Sequence, residues 1–186
     1  MYQTLLAKIA RALDSARIPY MVIGGQAVPY HGEPRLTRDI DITLGVDATE
    51  LKRVSDAVAT IPLAPSVVDV DAFVRDTNVL PLSDVFSNLR VDLIFSFTPY
   101  EAEAIRRAVP VVLDGVSVHF ASAEDLIIHK LVAGRPRDIE DVAGVLARKP
   151  SLDEKYVTKW LTSFRDVVNK DLVSEFSSLK RARGLS

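Results

Sequence analysis

Two glycines followed, a fixed distance later, by a pair of alternating aspartates constrain this chain more than any other stretch. Residues 20–23, Tyr-Met-Val-Ile, form a short apolar run that stops at Gly24-Gly25. Without Cβ atoms the backbone turns sharply there and leaves room for a large group to approach. A short helix is predicted from Gly25 through Gln26, Ala27 and Val28, and its N-terminal N–H groups suit an anion such as a phosphate. Fourteen residues after Gly25 comes Asp39-Ile40-Asp41-Ile42, which alternates acid and apolar with the period of a half-buried strand. Both carboxylates then share one face, with Ile40 and Ile42 on the other. Neighbouring like charges repel; a divalent cation removes that objection, and hard oxygen donors at this spacing suit Mg²⁺. Alone, Gly-Gly is as readily a tight turn. Asp69-Val70-Asp71 repeats the acidic tripeptide without a preceding Gly-Gly and is expected in a loop or at a helix start.

The 186 residues fit one domain, or one domain with a helical appendage. Hydrophobic residues make up 48% and charged ones 26%, as in soluble globular proteins. No apolar stretch approaches the roughly 20 residues needed to span a bilayer, and the N-terminus does not read as a secretion signal. With no cysteine, disulfides, thiolate nucleophiles and Cys-ligated zinc are excluded; a cytoplasmic location is expected. His31, His119 and His129 are too scattered for a zinc motif and read as structural or surface residues. A net charge of −2 gives no general attraction to nucleic acid.

Leu5, Leu6, Ile9, Leu13 and Ala16 fall at helical spacing and predict an amphipathic helix over 3–17. A further helix is predicted over 48–61. A strand near 79–82 is expected at a sheet edge because it contains Pro81. In Arg90-Val-Asp-Leu-Ile-Phe95 the alternation places Asp92 in otherwise apolar company, where a lone carboxylate is costly unless paired or bound to a cation. A helix over 99–107 and a hairpin turning at Asp114-Gly115 complete an α+β core, residues 1–121. From Ser122, which opens a capping-box pattern with Asp125, residues 122–186 read as helical throughout.

A second cluster lies in that helical region: Lys130, Arg135, Arg137, Asp138 and Asp141. The two acids, three apart, face the same way on a helix. The cations can grip a triphosphate while the acids orient a lysine or an acceptor hydroxyl. An ordinary helix-loop-helix, with solvated arginines and Asp138 as a cap, accounts for the same residues equally well.

Gly24-Gly25 followed by Arg35-Leu36-Thr37-Arg38-Asp39-Ile40-Asp41 resembles the GG…RxTxDxD signature of the polymerase-β-like nucleotidyltransferases, closest to the AbiEii-type toxin branch and its small bacterial relatives. Lys130, Arg137, Asp138 and Asp141 match the K…RDxxD motif of that branch, with a short Gly134-Arg135-Pro136 loop in place of a longer linker. Gln26 stands where many members carry a serine, so an amide or the backbone takes over one phosphate contact. The resemblance implies a mixed sheet with flanking helices and a C-terminal helical region. It implies transfer of an NMP from an NTP to an acceptor hydroxyl with release of pyrophosphate. Asp39, Asp41 and Asp92 then hold one or two Mg²⁺ ions, with Asp92 on an adjacent strand. Gly24, Gly25, Thr37, Lys130, Arg135 and Arg137 hold the nucleotide, and Asp138 and Asp141 join the catalytic set. The acceptor is an RNA or protein for a toxin, with an antitoxin as partner, or a small molecule for an antibiotic-type enzyme. A non-catalytic nucleotide- or partner-binding module is the rival class. The basic end, Lys180-Arg181-Ala-Arg183, hints only weakly at RNA and reads better as a solvated helix end.

Overall fold

The computed structural model describes residues 2–37, 39–149 and 151–184. They group into two compact units, one of Met1–Gln26 with Thr37–Ala121, the other of Ala27–Leu36 with Ser122–Ser186.

The first unit is built on a seven-stranded mixed sheet. Its strands are β1 (Tyr20–Ile23), β2 (Asp39–Leu44), β3 (Leu63–Pro65), β4 (Val79–Asp84), β5 (Arg90–Phe95), β6 (Val109–Leu113) and β7 (Val116–Phe120), in the order β3-β4-β5-β2-β1-β7-β6. The central pair β2 and β5 is parallel; β1 runs antiparallel to β2 and parallel to β7. The apolar stripe read from the sequence makes α1 (Tyr2–Ser15), which buries Leu6, Ile9 and Leu13 and packs on β7. The β6–β7 turn places Asp114 and Gly115 at φ 48° and 76°, the left-handed pair that matches the twist of a two-residue hairpin.

Two expectations need correction. The helix predicted over 48–61 is a 3-10 turn, Ala48–Glu50, capped by Asp47, followed by a shorter α3 (Leu51–Val58). β4 is not an edge strand, because β3 covers it. β3 pairs only with residues 82–84, so Pro81 lies just past that ladder, and its carbonyl still accepts from the Ser66 N–H at 2.9 Å. Asp69 caps α4 (Val70–Thr77), so the second D-x-D opens a helix, as expected. The first unit also carries α5 (Pro99–Arg106), packed on β1 and β2.

The helix after β1 is α2 (Gly24–His31). The second unit contains α6 (Ala123–Ala133), α7 (Pro136–Arg148), α8 (Glu154–Val168) and α9 (Leu172–Ala182). Their ends follow from local chemistry: Ser122, Asp153 and Asp171 cap the starts of α6, α8 and α9, and Gly134 ends α6 in the left-handed conformation. α6 lies against α7, α8 and α9 and is buried through Leu126, Ile127 and Leu131. The segment 27–36 joins these helices by close backbone contact. A Cβ on Gly32 would stand 3.1 Å from the Val145 nitrogen, and one on Gly144 3.4 Å from the Glu33 nitrogen. No helix among the described residues is long and apolar enough to cross a membrane.

Asp125 is fully buried beneath this bundle and accepts from the Ser122 hydroxyl at 2.6 Å and the Tyr156 hydroxyl at 2.7 Å. A hydrogen bond to a buried charged group contributes about 1.5–3 kcal/mol. Tyr156→Phe is therefore expected to lower the unfolding free energy by about that amount, measured by urea titration. No change would show that the carboxylate is satisfied without Tyr156.

Candidate functional site

In the parallel β2–β5 pair the register sets Asp39 against Arg90, Ile40 against Val91, Asp41 against Asp92 and Ile42 against Leu93. Residues in register on parallel strands project to the same side. Asp39, Asp41, Arg90 and Asp92 therefore stand together on one face, half-buried except for the exposed Arg90. The opposite face is dry: Ile40, Ile42, Val91 and Leu93 are each 0% exposed.

The glycine pair is fitted to this face. Gly24 has φ 65°, and a Cβ there would lie 2.1 Å from Asp41 Oδ2. A Cβ on Gly25 would lie 2.7 Å from Thr37 Oγ1. Gly24, Gly25, Thr37 and Asp41 thus pack as one cradle. Gln26, expected to stand in for a serine at a phosphate, is 3% exposed and donates its amide N–H to the Asp39 carbonyl at 3.2 Å. It pins the start of β2.

Among the described residues no three His, Cys, Asp or Glu side chains converge as a ready metal-holding group. Asp92 is instead turned to Arg90, with Arg90 Nη2 3.2 Å from Asp92 Oδ2. Burial, reinforced by the charge of Asp39 and opposed by that of Arg90, holds the Asp92 carboxyl above the usual carboxylate range. In donor type and in the face they share, Asp39, Asp41 and Asp92 fit a hard divalent ion. The glycines beside them give Asp41 and Thr37 the room that a Cβ would take.

In the second unit, Lys130 lies buried with Nζ 2.6 Å from Asp138 and 2.9 Å from Asp141. Arg35 grips Asp141 with two parallel bonds of 2.8 and 2.9 Å, and Arg135 reaches Asp138 at 2.6 Å. The α6–α7 loop sets this geometry: Gly134 turns the chain, Pro136 starts α7, and Arg135 occupies the cap position without a side-chain cap bond. Asp138 is engaged by Lys130 and Arg135 and does not cap α7. Arg137 is exposed. Arg35 had no assigned role in the sequence reading, although it opens the RxTxDxD stretch; its partner is 106 residues away. At the basic C-terminal end, Lys180 is paired with Glu154 at 2.5 Å.

Burial pushes the Asp138 and Asp141 carboxyls up, but hydrogen bonds from Arg135 and Lys130, and from Arg35 and Lys130, outweigh it and hold both below the ordinary value. Carboxyls depressed in the folded state contribute stability that is full above their unfolded pKa, about 4, and is lost as pH falls through the folded values. Melting temperature followed from pH 7 to 2.5 should decline below about pH 4, and the decline should be shallower in Asp141→Asn. At pH 7, Lys130→Met should cost on the order of 3–5 kcal/mol, the usual result of breaking a buried pair. A loss below about 1 kcal/mol, as for an exposed pair, would contradict the buried network.

Solved structures of similar architecture support the fold. The solution structure of the antibiotic-resistance factor ANT(2'')-Ia aligns over 98% of this chain and 97% of its own at 19% identity and TM-score 0.57. The crystal structure of ANT(2'')-Ia with adenylyl-2''-tobramycin aligns over 89% and 97% at 20% identity and TM-score 0.58. The lincosamide antibiotic adenylyltransferase LnuA, lincomycin-bound, aligns over 76% and 94% at 16% identity and TM-score 0.52. These likenesses establish the nucleotidyltransferase-type mixed sheet with flanking and C-terminal helices. No curated protein matches the sequence. Residues 3–177 match the family described as "Nucleotidyltransferase of unknown function (DUF6036)". The chain belongs to that family and is a nucleotidyltransferase.

Proposed function

We propose that this enzyme transfers an NMP from a Mg²⁺-bound NTP to a hydroxyl of a small acceptor molecule, using the acid face of β2 and β5. The observation that carries this reading is the register of Asp41 with Asp92, two residues beyond Asp39, on the sheet face opposite the dry core. Asp39 and Asp41, with Asp92 as third donor, would hold Mg²⁺, which when bound would supply positive charge to the phosphate oxygens. Gly24, Gly25 and Thr37 take the phosphates at the start of α2, where N-terminal N–H groups suit an anion. The acceptor oxygen attacks the α-phosphorus, the bond to the α–β bridging oxygen breaks, and pyrophosphate leaves. The hydroxyl proton passes to water as the new bond forms. Lys130, Asp138 and Asp141 hold one another in the second unit, so we assign them to positioning. Arg135 pairs with Asp138 from an exposed position, and Arg137, also exposed, is the cation of that motif we assign to an anionic group of a substrate.

The small-molecule acceptor takes its support from the neighbours solved with adenylyl-2''-tobramycin and with lincomycin. An AbiEii-type toxin, with an RNA or protein acceptor and a cognate antitoxin, rests on the Lys130–Asp141 motif alone. An assay with Mg²⁺ and α-labelled NTPs, offering aminoglycosides, lincosamides, cellular RNA and cellular protein in parallel, separates the two. Label is expected on a small hydroxylated acceptor, and markedly less of it in Asp92→Asn, which removes the third oxygen donor. Gly24→Ala, which must turn the Asp41 carboxylate, should also depress transfer. Label on RNA or protein would favour the toxin reading, and equal transfer by Asp92→Asn would overturn the assigned third donor.

A further inference from the structure

Arg90 is the first residue of β5 and stands two residues before Asp92, so its side chain rises from the same face as the three aspartates. Its partner in register on β2 is Asp39. The Arg90 side chain is 62% exposed, whereas Asp92, 3.2 Å from its guanidinium, is 19% exposed. A half-buried carboxylate beside another acid requires a counter-charge, and the chain provides one from the same strand. Such a bond is weak, because the exposed guanidinium exchanges a carboxylate for water at little cost. A divalent cation, with twice the charge and a preference for carboxylate oxygens, is the stronger partner.

We propose that Arg90 is a built-in counter-cation that competes with Mg²⁺ for the Asp92 carboxylate. It is a positioning residue: it acts through Asp92, setting how tightly the acid face takes a metal and keeping that carboxylate compensated when the metal leaves with pyrophosphate. The inference rests on the Mg²⁺ reading proposed above. The i,i+2 placement makes the exchange local, since Arg90 needs only to swing its side chain to free the carboxylate while the strand register stays fixed.

Calorimetric titration with MgCl₂ tests this on the full chain, using wild type, Arg90→Gln, Asp92→Asn and the double variant. Arg90→Gln is expected to bind Mg²⁺ more tightly by up to about fivefold, the size an exposed ion pair can contribute. The gain should vanish when Asp92 is already Asn, and Arg90→Lys, which keeps the charge but not the planar fork, should fall between. Unchanged or weaker binding by Arg90→Gln would overturn the proposal. So would an equal gain in the Asp92→Asn background, which is simple repulsion without competition. Failure of the underlying metal reading has a different signature: wild-type binding of Mg²⁺ is absent, or is unaffected by Asp41→Asn. Melting in EDTA should show all four proteins folded; if Arg90→Gln is not, the comparison of wild type with Arg90→Lys decides, with equal affinity overturning the proposal.

Discussion

The parallel, in-register pairing of β2 with β5 is the constraint on which the acid face depends. Each strand alternates polar and apolar residues, and the apolar set, Ile40, Ile42, Val91 and Leu93, is completely buried. A slip of one residue in either strand would turn that strand's carboxylates into the core and its apolar residues outward. Burial of the apolar face therefore fixes the register, and the shared face of Asp39, Asp41 and Asp92 follows from it. Like charges on one face carry a standing electrostatic cost. Arg90 offsets part of it by pairing with Asp92, and Gln26, bonded to the Asp39 backbone carbonyl, holds the start of β2 in place. Gly24 and Gly25 leave Asp41 and Thr37 the room they occupy.

The second unit handles charge in the opposite way, by closing it off. Lys130, Asp138 and Asp141 are each about 5% exposed or less in their side chains, and they are joined by Arg35 and Arg135. Buried ion networks of this kind add little net stability over an apolar core but fix geometry closely, because removing one member strands the others. The bidentate Arg35–Asp141 pair ties the segment 27–36 to α7. It accounts for an arginine at that point of the RxTxDxD stretch without any need for it to touch a nucleotide.

Most of the fold was legible in the sequence, because β1, β2, β5, α1 and α6–α9 each carry a clean period of two or of about 3.6 residues bounded by recognisable caps and turns. β3 was not, since three residues ending in Pro65 hold no period. The position of β4 was misread because β3, the strand that covers it, was invisible. At the site, the shared face of Asp39 and Asp41 follows from alternation alone, but their meeting with Asp92 needs the tertiary pairing. Arg90 left a signal that went unused: at i−2 from Asp92 it had to share its face. Arg35 left none, because its partner lies on a helix 106 residues onward. A signature covering a tenth of the chain pointed to the nucleotidyltransferases and, within them, to the AbiEii branch; the match over residues 3–177 is to DUF6036.

The central claim is that the acid face is a metal-dependent nucleotide site, and thermal unfolding of wild type and Asp39→Asn, each in EDTA and in Mg²⁺ with NTP, tests it most directly. Mutual repulsion of the carboxylates predicts that the variant melts at or above wild type under EDTA. A ligand that binds only the folded protein stabilises it by about 2.7 kcal/mol at a hundredfold excess over Kd, so Mg²⁺ with nucleotide should raise the wild-type melting point and leave the variant behind. A variant destabilised equally in both conditions would mean that Asp39 serves a structural bond, and would contradict the account.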